Sequence, residues 1–458
     1  MADIIATRIG DTIAGTAADD RITGSTGADL IDGDLGNDTI TGGGGIGGDA
    51  PRFTDTLRGG RGDDRITGTL SGLLFGDDGN DTLTTPSDFS RYTLEGGRGD
   101  DRLEGAPDNN GTFAAYTAAD TGVRVSLAIA GPQMVGGGQG VDTLVRMDGL
   151  IGSLHGDTLT ATATPSLGGG GSGLVGLGGS DRLEGGPGAD QIDPGAGDDT
   201  VLGGAGLDLL YLGDALGTTA SGGVTVDLRL TTAQAIGGGL GLKTIVDVES
   251  ISGSRFGDTF TGTDGVNILS GDAGGDVLSG LGGDDVLDGG AGDDTLLGGA
   301  GADQAFTRGG RDVVRGGEGD DVVLAEISGD AVQDQDLHGN QGGDTLTAGS
   351  GADTVRGGQG DDVIRGGDGA DWLAGDRGSD TLTGGNGADV FHAWAGAGLD
   401  RVTDFSAAQG DRVFLLRGAA PAVTQVGADT VIDFGGGNQM VLVGVQLSAL
   451  PSGWIFGA

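Results

Sequence analysis

Between Gly271 and Leu324 the chain is six nonapeptides laid end to end without a slip in phase: GDAGGDVLS, GLGGDDVLD, GGAGDDTLL, GGAGADQAF, TRGGRDVVR and GGEGDDVVL. Position six is always aspartate (Asp276, Asp285, Asp294, Asp303, Asp312, Asp321), and position eight is always apolar (Leu278, Leu287, Leu296, Ala305, Val314, Val323). Glycine holds position four throughout, and one or both of the first two positions in five of the six repeats. A random chain rich in Gly and Asp would contain many such pairs but would not keep them in fixed columns, so the columns are structural.

A repeat of this kind turns over six residues and runs extended over three. Glycine tolerates the positive φ of tight turns, and an x-apolar-x triplet alternates like a half-buried strand. Two nonapeptides then make one flattened coil of eighteen residues, and stacked coils give two parallel sheets back to back. The spacing places Asp276 over Asp294 and Asp285 over Asp303, on opposite rims of the stack. Paired carboxylates among accessible turn carbonyls form an oxygen-only cage, which suits Ca2+ better than Zn2+. Each repeat buries about one aliphatic side chain, too little to offset the ordering of so glycine-rich a backbone, so bound metal is expected to supply folding free energy.

These residues resemble the GGxGxDxUx repeats, U being an apolar residue, of RTX (hemolysin-type calcium-binding) proteins. The resemblance implies an all-β fold, a parallel β-roll solenoid of calcium-binding nonapeptides, with Ca2+ as a multiply bound cofactor.

The same frame recurs along the chain. From Ala6, position six is filled by Asp11, Asp20, Asp29 and Asp38, before a break at GGGGIGGDAPRF and single repeats at Gly59–Thr67, Gly76–Thr84 and Gly96–Glu104, which together make an interrupted roll over 1–115. A strand-rich insert (116–160) and its duplicate (217–252) share GVxVxL and GDT segments at a constant offset of 101, so that Asp157 matches Asp258 and GSLHGDTLT matches GSRFGDTFT. Each insert is expected to add a longer strand to the roll edge. Between them, a second roll run (161–216) carries Asp181, Asp190, Asp199 and Asp208. The third run (253–324) begins with Asp258, after which Asn267 takes one aspartate position and weakens the site shared with Asp285. A linker (325–338) leads to a fourth run (339–392) with Asp344, Asp353, Asp362, Asp371, Asp380 and Asp389. Pairing each aspartate with the one a coil later predicts about a dozen ions.

The tail (393–458) changes texture to longer alternating strands with aromatics and a GGGN turn suited to a hairpin. It resembles the C-terminal domain of RTX exoproteins, including serralysin-type proteases, where this region seals the roll and carries an uncleaved type I secretion signal. The resemblance implies the type I secretion machinery as a partner and an extracellular location.

Net charge is −44, and of 68 acidic residues only six are glutamate. Aspartate suits turns and reaches a cation held by its own loop, while so acidic a chain excludes nucleic acid as a natural partner. There is no cysteine, hence no disulfide or thiolate site, and no apolar stretch long enough to span a membrane. His155, His338 and His392 are scattered, with no HExxH; His392 is expected at the surface, and no GxSxG elbow occurs. GGLGLKT around Lys243 misses a phosphate-binding loop because Leu242 stands where glycine is required.

Two functional classes follow. The first is a secreted, non-enzymatic calcium-binding protein with a structural or adhesive role at the cell surface or matrix, where polysaccharide is the partner class. The second is an exported polysaccharide-acting enzyme with a site on the inserts. Nearly every carboxylate is committed to a column, and all three tryptophans lie from Trp372 onward, which favours the first.

Overall fold

In a computed structural model the described residues are 3–6, 10–25, 27–43, 55–69, 71–86, 91–107, 111–162, 171–213, 220–325, 333–416 and 420–457. Most of the expected break after Gly43, the 216/217 domain boundary and the centre of the 325–338 linker lie outside them. The described residues are almost wholly β, with short turns and a 3-10 segment at Leu447–Ala449. The chain divides into two compact units, residues 1–219 with 230–248, and residues 220–229 with 249–458.

The second unit shows the repeat in its plainest form. Successive nonapeptides alternate between two parallel sheets: Thr259–Thr261, Val277–Gly282, Thr295–Ala300 and Val313–Glu318 join one, while Ile268–Ser270, Val286–Asp288, Gln304–Thr307 and Val322–Ala325 join the other. Register is one coil per step, Val277 opposite Thr295 and Val286 opposite Gln304. The position-eight side chains Leu278, Leu287, Leu296 and Val314 all point inward and are fully buried. Within these repeats one such aliphatic row per sheet forms the core, worth ~1.5–3 kcal/mol per side chain.

Position-four glycine follows from how closely the coils stack. Gly292 has φ +135°, and a Cβ there would run into the carbonyl of Gly274 one coil away. An L side chain at that place would be strained twice, by its own backbone and by its neighbour's.

The tail closes this unit. Asp429–Gly435 pairs antiparallel with Ala422–Val426 and with Asn438–Leu442, turning through Gly436 and Gly437 as the GGGN segment predicts. Asn438–Leu442 then lies parallel to Leu399–Val402 and so continues the roll sheet. Phe391, Phe405 and Trp454 fill the end of the core, with Phe405 6.0 Å from Phe391 and 6.2 Å, edge-on, from Trp454.

In the first unit the single repeats belong to one roll. Arg21–Thr23, Thr39–Thr41, Arg65–Thr67, Thr82–Thr84 and Arg102–Glu104 are consecutive parallel strands of one sheet despite the irregular spacing between them. The insert does something other than lengthen an edge strand. Val141–Val145 ends the parallel run of that sheet by pairing with Arg102–Glu104, with Gln133–Met134 antiparallel at its far edge, and Arg124–Ser126 starts a new sheet by pairing with Thr158–Thr160. The opposing sheet runs through uninterrupted, from Tyr92–Arg98 to Thr112–Ala115 to Gly149–Ile151. Glu95 anchors this exchange: its buried carboxylate accepts hydrogen bonds from the Thr117 hydroxyl (2.8 Å) and the Ala118 amide (2.7 Å). The duplicate reproduces the strands at the same offset, Thr225–Asp227 and Leu242–Val246, with matching left-handed backbones at Arg146 (φ 53°) and Asp247 (φ 52°).

Replacing Gly292 by alanine is expected to destabilise the calcium-saturated protein by more than ~1–2 kcal/mol. Gly309→Ala, where an added Cβ meets nothing within 4 Å, is expected to be near neutral. Thermal melts of the two variants check this.

Candidate metal centre

The position-six aspartates form continuous hydrogen-bonded columns. In the second unit the backbone amide of each donates to Oδ1 of the aspartate one coil later: Asp258 to Asp276 (2.7 Å), Asp276 to Asp294 (2.8 Å) and Asp294 to Asp312 (2.9 Å). The other rim repeats the pattern through Asp285, Asp303, Asp321, Asp344, Asp362 and Asp380. Asp353, Asp371 and Asp389 complete the first column. In the first unit Asp11 leads to Asp29, Asp20 to Asp38, Asp181 to Asp199 and Asp190 to Asp208 in the same manner. Apart from Asp11, every one of these side chains sits in a residue no more than 3 % exposed.

The columns also contain residues that spacing alone did not single out. Asp55, Asp64, Asp81, Asp101 and Asp142 carry them across the breaks of the first unit, and Asp400 and Asp411 extend them into the tail. Gln335 is a member too: its amide donates to Asp353 (2.7 Å) and its side-chain oxygen accepts from Asp312 (3.0 Å). The linker therefore ends in a repeat with glutamine at position six and Leu337 buried at position eight, a signal visible in QDQDLHGNQ once the frame is run backwards from Gly339.

What the second carboxylate oxygen does separates two kinds of turn. Oδ2 of Asp181, Asp190, Asp276, Asp285, Asp294, Asp303, Asp321, Asp344, Asp353, Asp362, Asp371 and Asp389 is buried and meets no hydrogen-bond donor. In many of these turns position two is left-handed, as at Leu177 (φ 70°), Asp272 (φ 75°), Leu281 (φ 78°) and Asn340 (φ 81°). Where position two is serine or threonine the turn closes on itself instead. Ser254 donates its amide to Asp258 Oδ2 (2.6 Å) and its hydroxyl to Oδ1 (3.0 Å), and Val224 adds a further amide to Oδ1 (2.7 Å). Ser153 treats Asp157 likewise, and Thr16 and Ser25 close on Asp20 and Asp29. Thr263 does so for Asn267, whose amide nitrogen is taken up by the Glu249 carbonyl.

A buried carboxylate oxygen without a donor costs ~1–3 kcal/mol or more. A column of them would rival the ~5–15 kcal/mol by which whole domains are stable. Burial accordingly pushes the column carboxyls up, to about 8 for Asp81, Asp181 and Asp362 and about 7 for Asp285, Asp294, Asp321 and Asp371, and neighbouring carboxylates add to the effect. The donor chemistry fits a hard cation: only oxygens are presented, in turns whose glycines leave carbonyls exposed. Among the described residues no three carboxylate or imidazole groups converge, so backbone carbonyls would complete each coordination shell.

His392 is not simply at the surface. Its ring stacks on Trp372 (5.2 Å) and lies 5.6 Å from Phe414, and burial lowers its pKa.

The RTX calcium-binding nonapeptide repeat model matches residues 10–47, 52–70, 93–111, 174–214, 252–327 and 338–399, more than half of the chain. The protein is a member of this family, whose repeats bind Ca2+ at multiple sites. Comparison with curated proteins finds no match. Among solved structures the chain is similar to the extracellular lipase LipA from Serratia marcescens, at 23% identity and a TM-score of 0.22, over 44% of this chain and 40% of that one.

The sign of the pH dependence follows from the raised carboxyls. Without metal, folding takes up protons, so the contribution of these groups is present below about pH 4 and is lost as pH rises through about 6 to 8. Ca2+ requires the carboxylates ionised and so competes with protons over the same window. Calcium titrations followed by circular dichroism are expected to show the midpoint moving to higher calcium as pH falls from 8 to 5; a midpoint independent of pH would contradict the assignment.

Proposed function

We propose that this chain is a secreted calcium-binding protein that leaves the cell through a type I secretion machinery and folds on extracellular Ca2+. Its role is structural or adhesive, at the cell surface or in the matrix, and non-enzymatic. The observation that carries this is the row of buried Oδ2 atoms with no donor, which gives the folded state a requirement for cations that the cytosol, poor in free calcium, does not meet. A polymer kept unfolded until it is outside leaves its tail, docked on the roll only after folding, free to be read before.

Catalysis on polysaccharide would require carboxylates outside the columns in a cleft with aromatic walls. A cleft of the first unit is lined by Arg58, Phe75, Asp77, Asp78, Glu95 and Arg98, among others. Its parts have other employment: Glu95 holds the insert, Arg58 lies over the Phe75 ring at 4.3 Å and pairs with Asp77 at 2.7 Å. Several aromatics of the second unit pack against one another along the tail, Phe414 meeting Phe456 edge-on at 5.3 Å.

The protein stripped with chelator is expected to give the circular dichroism of an unordered chain, and millimolar Ca2+ to restore a β spectrum in one cooperative step. A β spectrum indifferent to calcium would sink the reading. Asp294→Asn, placed in mid-column, is expected to raise the calcium midpoint severalfold, whereas Asp258→Asn, in a turn already closed by Ser254, is expected to shift it less.

A further inference from the structure

Of 24 basic residues in the chain, 23 are arginine and one is lysine, and that one, Lys243, is completely buried. An isolated ammonium is among the costliest groups to remove from water, so its surroundings must repay it. They consist of oxygen alone. Nζ is 2.6 Å from Oδ2 of Asp199, 2.8 Å from the carbonyl oxygen of Gly197, and hydrogen-bonded to the carbonyl of Leu240. The ammonium is thus held by an ion pair to one carboxylate and by hydrogen bonds to two carbonyls.

The place matters as much as the contacts. Asp199 is a column aspartate whose amide partner, Asp181, donates to its Oδ1 at 2.8 Å. Its turn is of the open, left-handed kind, with Gly195 at φ 71° and Gly197 at φ 138°. No serine or threonine closes it, and by the pattern of the other columns its Oδ2 would face a cation. Lys243 stands directly opposite Asp199 in the next strand, at the position-six place of that coil. The duplicate insert shows the alternative: 101 residues earlier the same place is Asp142, to whose Oδ1 the Asp101 amide donates. One insert continues the carboxylate column; the other ends it with an ammonium reaching back into the last cage.

We infer that the Lys243 ammonium is a tethered substitute for a calcium ion, so that the Asp199 rung takes no metal and this column of the first unit ends in an intramolecular cation. The inference rests on the calcium reading of the columns. It adds a site where this chain has replaced a diffusible ligand by a covalent one, which holds the rung at any calcium concentration once the coil has formed.

Calcium bound to the full chain at saturation, counted by native mass spectrometry, gives the reference. Lys243→Asp restores the carboxylate of the other insert and is expected to bind one more ion than the parent with the same calcium-loaded β spectrum. An unchanged count in a folded variant overturns the inference, whereas a parent that binds no calcium at all overturns the column reading beneath it. Should the variant not fold, the parent decides the matter, because its sole lysine can be followed by an amine-reactive acetylating reagent and peptide mapping. In the calcium-saturated chain Lys243 is expected to react at least about a hundredfold more slowly than in the denatured chain. Reaction at the denatured rate would mean that the side chain has been expelled from the cage, and would overturn the inference.

Discussion

The structure depends on one electrostatic constraint, a carboxylate held inside the protein with one oxygen bonded to the neighbouring coil and the other bonded to nothing. The first oxygen is what sets the stack. Each Asp Oδ1 fixes the amide one coil back, so that Asp276, Asp294 and Asp312 register the sheets as firmly as the ladder bonds of Val277 to Thr295 do. The second oxygen is a debt in the metal-free protein. It is met by the amide of the position-two serine at Asp29, Asp157 and Asp258, by the amide and hydroxyl of Thr16 at Asp20, and by an ammonium at Asp199. At the glycine-rich turns the chain offers no donor of its own, and a divalent cation is the group whose charge and ligand preference match.

This division explains why glycine is so abundant. Position four needs positive φ because coils pack with carbonyls against Cα atoms, as Gly292 does on Gly274. Position one lies against the column carboxylate: a Cβ at Gly271 would strike Asp276 Oδ2. The side chains that would ordinarily make a core are excluded by the same geometry that brings the carboxylates together. The cohesion lost in apolar burial is recovered as metal binding, which couples folding to the medium.

Much of this was legible in the sequence because the aspartate and aliphatic columns are strictly periodic. Asp276 to Asp321 and Asp344 to Asp389 could be placed from spacing alone, and the offset of 101 between Val123 and Val224 identified the duplicated insert. What escaped was whatever depends on register across a break. Gln335 keeps the column through a carboxamide, so a search for aspartate passes it by. Asp64, Asp81 and Asp101 sit in repeats separated by irregular segments, and only the paired strands show that they share one column. The insert's exchange of one sheet for another rests on which strand Val141–Val145 pairs with, information no local pattern holds. The serine and threonine at position two were in plain view, but their meaning required seeing where the hydroxyl points. Lys243 lies in a glycine-rich stretch whose local pattern says nothing of the column place it fills opposite Asp199.

The most direct test of the central claim is a crystal structure grown in calcium, with an anomalous difference map computed above the calcium edge. The account predicts peaks at ~2.3–2.6 Å from Oδ2 of the donor-free aspartates, Asp285, Asp294 and Asp362 among them. Featureless density at those oxygens, with the carboxyls still buried, would contradict it.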